Sequence, residues 1–325
     1  MTSLANLVKG VSKSITLPLM GEQRLMNNEW RAGAAFLVAL VLALVSSEPQ
    51  PARSQDQAAA TAKPSKCARS AFRVVIDVGH TLDAPGAMSA RGVTEFAFNV
   101  QLANSVRQAL VDAGFEKTVL LATTTASPPG LFERAARANS MPADLFISIH
   151  HDSVPDRLIE TWQYEGKENH FSDRFKGYSI FISNNNADRA GSLKFGHLLG
   201  QQLQTRGLHY TPHYTLAIMR NRRRELLDAE AGVYRFDQLI VLKQTRMPAV
   251  LLEAGSIVNR DEELELESQE RRSLTSAAVA AAVEDFCLAR SQPKTVPFAK
   301  HPPRTAVAPA RVNLVWPARW TRRRD

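Results

Sequence analysis

The sequence has 325 residues, enough for one large domain or two ordinary ones, and its 44% hydrophobic and 22% charged residues are typical of a folded globular protein. Its 2 cysteines, Cys67 and Cys287, exclude a cysteine-rich zinc module, so any metal site must be built from histidines and carboxylates. The net charge is +8, but most of it lies in the segment after residue 291, so the remainder is nearly neutral and a nucleic-acid-binding face is not expected.

Residues 1–47 are predicted to be a signal peptide with a long leader. Ala32–Val45 is an uncharged apolar run of 14 residues, shorter than the roughly 20 residues that a membrane-spanning helix needs. Arg31 precedes this run, and small residues follow it where a signal peptidase could cut. A short uncleaved membrane anchor is the alternative. In both cases we expect a periplasmic or otherwise extracytoplasmic protein. Residues 48–70, rich in Ala, Gln, Pro and Ser, are predicted to be a flexible linker.

Residues 71–291 are predicted to form a single α/β domain, with a mostly parallel mixed sheet flanked by helices on both faces. Short apolar runs predict strands, and apolar residues at helical spacing predict helices. In chain order, the predicted elements are strand Val74–Val78, helix Glu95–Ala113, strand Thr118–Ala122, helix Leu131–Asn139, strands Asp144–His150 and Tyr178–Ser183, helix Leu193–Thr205, strand Ala249–Glu253 and helix Ser273–Leu288. The alternation of strands and helices indicates this fold class.

Residues 292–325 are predicted to be a basic, proline-rich, disordered tail. Their prolines are too frequent for a packed helix or a central strand. Trp316 and Trp320 lie beside arginines, which suits a weak contact with an anionic wall or membrane surface. An inert extension is the alternative.

Metal-competent side chains lie at the carboxyl ends of the predicted strands, where ligands gather in sheets of this kind. His80 follows the first strand, His150 ends the third, and Glu253 ends the last, while Glu95 opens the first helix. A catalytic zinc site typically takes three protein ligands, and a further carboxylate can serve as a general base. A single histidine or a glutamate at a helix start has an ordinary structural explanation. Glu253 is less ordinary, because burying a carboxylate without a partner is costly.

The segments around these residues resemble three motifs of the zinc-dependent N-acetylmuramoyl-L-alanine amidases that act in cell separation. The segment IDVGHTLDAPGAMSARGVTEFAFN resembles the first motif, which implies that His80 and Glu95 bind zinc. ADLFISIHHDS resembles the second and implies His150 as the third ligand, and MPAVLLEAGSIVNRDEE resembles the third and implies a catalytic role for Glu253. The resemblance extends from about Phe72 to Cys287.

This resemblance implies a peptidoglycan hydrolase that cleaves the amide bond between N-acetylmuramic acid and the L-alanine of the stem peptide. One zinc ion would lower the pKa of a water molecule toward about 7. Glu253 would accept the proton of that water and transfer it to the leaving nitrogen. Two alternatives stay open: a zinc peptidase that cuts within stem peptides, and a non-catalytic wall-binding pseudoenzyme, although a binding protein would not need Glu253.

Several features depart from the family pattern. Thr81 and Leu82 replace the glycines that usually follow the first histidine, and His151 replaces a small residue after the second. Since neighbours on a strand face opposite ways, His151 is predicted to contact the substrate or the ligands rather than the zinc. Val154–Lys176 is longer than the usual connection in the family. In some relatives a helix inserted in this region blocks the zinc until an activator protein moves it. The alternative for this segment is a solvated loop. Arg220–Arg224 is predicted either to line the substrate cleft or to form a solvated loop.

Cys67 and Cys287 are predicted to form a disulfide. Export places both in an oxidising compartment, where an isolated pair is more often joined than free. Cys67 precedes the first strand and Cys287 lies at the end of the closing helix, so packing of this helix on the sheet could bring them together. The alternative is a free Cys67 in the linker and a buried Cys287.

Overall fold

The computed structural model describes residues 66–124 and 129–291. The predicted signal peptide, most of the predicted linker (residues 48–65) and the predicted basic tail lie outside the described residues. Within the described ranges, no helix combines the length and the apolar character that crossing a membrane requires.

The described residues contain a seven-stranded sheet and a separate two-stranded hairpin. The strands are β1 (Val74–Val78), β2 (Val119–Leu121), β3 (Leu145–Asp152), β4 (Glu160–Tyr164), β5 (Lys167–Phe171), β6 (Ser179–Ile182), β7 (Leu226–Asp228), β8 (Val233–Arg235) and β9 (Ala249–Ser256). The large sheet has the order β2-β1-β3-β9-β6-β8-β7. Strands β2, β1, β3 and β9 run parallel, whereas β6 is antiparallel to β9 and β7 to β8. The predicted mostly parallel mixed sheet is therefore confirmed.

Helices cover both faces of the sheet. They are α1 (Glu95–Asp112), α2 (Pro129–Asn139), α3 (Arg189–Gln204), α4 (Ile240–Gln244), α5 (Arg260–Glu267) and α6 (Gln269–Ser291). Successive residues of β1 point to opposite faces, so Val74 and Ile76 pack with α1, α3 and α6, whereas Val75 packs in a second cluster with α2 and α4. Both faces are thus buried, which explains why the central strands read as continuous apolar runs.

The nine predicted elements are all present, with ends shifted by a few residues. The sequence did not predict β4, β5, β7, β8, α4 and α5. Val154–Lys176 contains neither an inserted α-helix nor a simple loop, because it folds into the β4–β5 hairpin after a short 3-10 helix. The indole Nε1 of Trp162 donates to the carbonyl oxygen of Ala90 at 2.9 Å, and the Arg260 guanidinium lies 3.8 Å from the centre of the Phe171 ring. These contacts fix the hairpin against the domain.

A disulfide joins the two ends of the domain. Cys67 and Cys287 are bonded, with their Cα atoms 5.3 Å apart, so the predicted bridge is confirmed. Phe72, which leads into β1, packs edge-on against Phe286 of α6 at 6.5 Å between ring centroids. The closing helix therefore lies beside the point where the chain enters the sheet, as the bridge requires.

Candidate metal centre

His80 lies in the turn that follows β1, and α2 holds its backbone. The φ angle of His80 is 67°, in the left-handed region that few residues other than glycine adopt. Arg134 of α2 donates to the carbonyl oxygens of Val78 and His80 and to Asp77 Oδ1, the last at 3.0 Å. Asp77 is in turn bound by the hydroxyl of Ser148 at 2.7 Å. This buried network fixes the turn that carries His80.

Glu95 lies between His80 and His150. Its Oε2 is 3.0 Å from Nε2 of His80, and its Oε1 is 2.9 Å from Nδ1 of His150. One ligand atom from each of the three residues lies within 4.8 Å of the other two. The Glu95 side chain is 6% exposed, and its contacts with the two histidines hold its pKa well below the usual range despite burial. The structure therefore brings together the three residues that the sequence suggested as ligands.

Two glycines leave the space that this cluster occupies. A Cβ atom on Gly79 would lie 2.4 Å from Nε2 of His150. A Cβ atom on Gly86 would lie 2.4 Å from Oε2 of Glu95, and Gly86 has a φ of +80°. Both distances are far below van der Waals contact, so any side chain at either position would displace a member of the cluster.

His151 points away from this cluster, as expected for the neighbour of His150 on a strand. Its Nδ1 lies 2.8 Å from Oδ1 of Asn99, and its ring packs against Phe98 of α1. The Asn99 amide also donates to Oε1 of Glu95 at 3.3 Å. Burial lowers the pKa of His151 to about 3, so the ring is neutral at pH 7. His151 therefore helps to fix the orientation of Glu95, because it contacts Asn99, which donates to Glu95. The cavity described below is not lined by His151.

Glu253 is paired with His150 across β3 and β9. Its Oε2 is buried and has no hydrogen-bond partner among the described residues. Burial, followed by the nearby charges of Asp152 and Glu95, raises the pKa of Glu253 well above its usual range. A carboxyl with a raised pKa and a free oxygen beside a metal-competent cluster is suited to accept and return a proton.

A second acidic group near Glu253 is fully engaged. Asp152 accepts the Tyr214 hydroxyl at 2.8 Å on both oxygens, and Nη2 of Arg222 lies 3.4 Å from its Oδ1. Burial raises the pKa of Asp152 to about 6. The sequence analysis did not single out Asp152 or Tyr214. Asp152 carries the same signal as Glu253, since it is an acidic residue at the end of an apolar run that predicts a buried strand.

A cavity of 460 Å³ opens beside the cluster. His80, His150 and Glu253 contribute to its wall, together with Arg222 and Arg224. Arg222 and Arg224 of the arginine-rich segment thus line this cavity, whereas Arg220 and Arg223 are exposed. None of the described residues of Val154–Lys176 lines this cavity.

Comparisons with known proteins identify the family of the chain. The family model described as N-acetylmuramoyl-L-alanine amidase matches residues 74–285, more than half of the chain. The chain is 27% identical over 224 residues to the N-acetylmuramoyl-L-alanine amidase AmiA of Escherichia coli (strain K12), a match that covers 66% of this chain and 75% of AmiA.

The fold is also that of a solved amidase. The crystal structure of the N-acetylmuramyl-L-alanine amidase Ami1 from Mycobacterium smegmatis matches with a TM-score of 0.52 and 21% identity, over 67% of this chain and 97% of that chain. The mixed sheet, its two helical layers and the family match lead to one assignment. The chain belongs to the N-acetylmuramoyl-L-alanine amidase family.

Proposed function

We propose that this peptidoglycan amidase is zinc-dependent, with His80, Glu95 and His150 as the ligands of one zinc ion and Glu253 as the general base. The reaction is hydrolysis of the amide bond between N-acetylmuramic acid and the L-alanine of the stem peptide. The observation that carries the proposal is the close approach of three donor atoms, all within 4.8 Å, beside a buried carboxylate oxygen without a partner.

The donor set fits zinc. Two histidine nitrogens and one carboxylate oxygen are a common ligand set for catalytic zinc, with a position left for water. Two ligands of a tetrahedral zinc ion lie about 3.3 Å apart when each bond is about 2.0–2.1 Å. Glu95 lies 2.9 and 3.0 Å from its two histidine partners, through a different carboxylate oxygen for each, and one ligand atom of each residue lies within 4.8 Å of the other two. Gly79 and Gly86 leave room for this arrangement.

Each residue then has a defined task. A bound zinc ion would supply Lewis-acid polarisation of the scissile carbonyl and a lowered pKa of the attacking water. Glu253 would take the proton of that water on Oε2 and deliver it to the leaving nitrogen of alanine. Asn99 and His151 would keep Glu95 oriented, because hydrogen bonds from neighbouring residues to a metal ligand fix the orientation of that ligand.

The reaction is tested by its products. Purified sacculi are digested with the protein, with and without a chelator, and the soluble products are analysed by mass spectrometry. We expect stem peptides with a free L-alanine amino terminus, and we expect the chelator to abolish their release. Cleaved cross-links with intact muramoyl–alanine bonds would instead indicate a peptidase that cuts within stem peptides.

The ligand set is tested by metal analysis of single variants. We expect His80→Ala, Glu95→Ala and His150→Ala to lose zinc, whereas His151→Ala should still bind one zinc ion, with an affinity lowered by no more than about 10–100-fold. Glu253→Gln should fold, bind zinc and lose activity by on the order of 10²–10⁴, as the loss of a general base does. Retention of zinc by His150→Ala, or more than about a tenth of the activity in Glu253→Gln, would contradict these roles.

A wall substrate requires action outside the cytoplasm. We propose that residues 1–47 provide the export signal and that the basic residues of 292–325 hold the enzyme near anionic wall or membrane surfaces. Both segments are characterised by composition alone. Deletion of residues 292–325 should weaken binding to sacculi at low salt and leave the cleavage of soluble fragments unchanged. Equal binding of both forms across a salt series would rule out this role of the tail.

A further inference from the structure

The cavity beside Glu253 contains two arginines that the proposed hydrolysis does not use. Arg222 ends a 3-10 helix, and Arg224 follows two residues later, before β7. Both side chains contribute to the wall of the 460 Å³ cavity, whose volume lies in the usual range of small-ligand sites, about 300–1,000 Å³. Apolar side chains form much of the remaining wall, among them Phe181, Phe236 and Leu251.

Arg224 has no acidic partner among the described residues. Its Nη1 donates only to the backbone carbonyl oxygens of Asn221 and Arg223, at 2.9 and 3.0 Å. Its Nε is buried and unpaired, and the guanidinium lies 4.1 Å from the centre of the Phe236 ring. Burial, and then the charge of Arg222, lowers the pKa of Arg224. A cation in this environment lacks the counter-charge that buried charges normally have.

The acidic groups of the cavity wall, Asp77 and Glu253, and the neighbouring Asp152 form no ion pair with Arg224. Asp77 is paired with Arg134 at 3.0 Å. Asp152 is engaged by Tyr214 and by Arg222, whose Nη2 also donates to the carbonyl oxygen of Ser153 at 2.9 Å. Nε and Nη2 of Arg224 therefore have no acceptor among the described residues, and a small movement of the side chain would turn this edge, whose Nε is buried, toward a ligand in the cavity. Arginine binds carboxylates through such an edge with two parallel hydrogen bonds.

The proposed reaction identifies where a carboxylate would come from. L-Alanine carries the scissile amide and has an uncharged methyl side chain. The next stem-peptide residue is a glutamate linked through its γ-carboxyl group, so its α-carboxyl group is the first acidic group after the scissile bond. Apolar walls suit the alanine methyl and the glutamate methylenes.

We propose that Arg224, with Arg222 beside it, binds the free α-carboxylate of the second stem-peptide residue, and that the enzyme therefore discriminates against stem peptides in which this group is amidated. This inference rests on the proposed function, since it takes the cleaved bond from it. An amide cannot replace the carboxylate here, because it carries no charge and directs N–H donors toward the donors of the arginine.

The preference is tested with two soluble substrates, N-acetylmuramoyl-L-alanyl-D-isoglutamate and its isoglutamine counterpart. For the wild-type protein we expect kcat/KM to be at least about tenfold higher for the free acid, as the loss of a charge-assisted hydrogen bond implies. In Arg224→Met this ratio should fall to about one. The matched control is Arg223→Met, an exposed neighbour that should keep the wild-type ratio. Equal kcat/KM values in the wild type, or an unchanged ratio in Arg224→Met, would overturn the proposal.

Binding of the reaction product separates this inference from the proposed function. L-Alanyl-D-isoglutamate and L-alanyl-D-isoglutamine are titrated into the zinc-loaded protein by calorimetry. We expect the acid to bind at least about tenfold more tightly, and Arg224→Met to lose the difference. If neither muramoyl substrate is cleaved but this difference is present, the proposed function is wrong and the carboxylate site is correct. Equal binding of the two dipeptides refutes the site even if hydrolysis occurs. If Arg224→Met does not fold, Arg224→Lys takes its place. The ratio of the kcat/KM values for the two muramoyl substrates in this variant and in the wild type then decides.

Discussion

Replacement of Arg134 by methionine should destabilise the domain and weaken zinc binding at the same time. Arg134 is 3% exposed, and its guanidinium is bound by the carboxylate of Asp77 and by the carbonyl oxygens of Val78 and His80. Removal of one partner from a buried ion pair typically costs about 3–5 kcal/mol, because the remaining charge is left uncompensated. This is a large part of the roughly 5–15 kcal/mol by which domains are stable.

The same substitution releases the backbone of a proposed ligand. His80 has a φ of 67°, a conformation that persists only when its surroundings enforce it. Loss of a group that orients a ligand typically lowers metal affinity about 10–100-fold. Arg134→Lys should recover part of the stability but little of the affinity, since an ammonium cannot bind three acceptors in one plane.

The assays are urea unfolding of the metal-free protein and zinc competition against a chromogenic chelator. The matched control is Arg137→Met, one turn further along the same helix, where the side chain is 48% exposed and pairs with Glu133 at 3.7 Å. A surface pair of this kind contributes only about 0–1 kcal/mol. Two outcomes would refute the reasoning: an Arg134→Met variant as stable as the control, or a destabilised variant whose zinc affinity stays within about twofold of wild type.

Three further predictions follow from the same geometry. Cys287→Ser should have a free energy of unfolding up to about 5 kcal/mol below that of the oxidised wild type, because the bridge closes a loop of 220 residues. In urea unfolding the variant should match the reduced wild type, and stability equal to that of the oxidised wild type would contradict the prediction. Gly79→Ala should stay folded by circular dichroism but lose zinc affinity, since the added Cβ would lie 2.4 Å from the ring of His150; unchanged affinity would show that the ring is free to move. The pKa of His151 is lowered to about 3 in the folded state, whereas an unfolded histidine has a pKa of about 6.5. Between these two pH values the unfolded state binds more protons than the folded state. The free energy of unfolding therefore decreases as the pH falls below about 6.5. Between pH 6.5 and pH 5, wild type should therefore lose about 2 kcal/mol more than His151→Gln, and parallel unfolding curves for the two proteins would argue against this.

The positions of predicted strand ends indicated most of the metal-competent cluster, and the resemblance to the family supplied the ligand set. His80, His150 and Glu253 each follow a short apolar run, and parallel strands bring such ends to one edge of the sheet. The alternation of side chains along a strand also predicted correctly that His150 and His151 face apart.

The other half of the site depends on contacts that no local pattern encodes. Tyr214 and Arg222 reach Asp152 from 62 and 70 residues further along the chain. Strands β7 and β8 have three residues each, too few to show a periodicity. Strands β4 and β5 are mostly exposed, so apolar runs could not mark them, and their position depends on Trp162 and Arg260.

The bridge between Cys67 and Cys287 determines how mechanical load passes through the enzyme. The two Cα atoms lie 5.3 Å apart, although all nine described strands lie between them in the chain. Tension applied between the segment before Cys67 and the segment after Cys287 passes through one covalent link, so the strands that carry the proposed ligands bear none of it. A pull on the two ends of the described domain would therefore leave the proposed site undistorted. Reduction of the bridge would direct the same pull into β1 and α6.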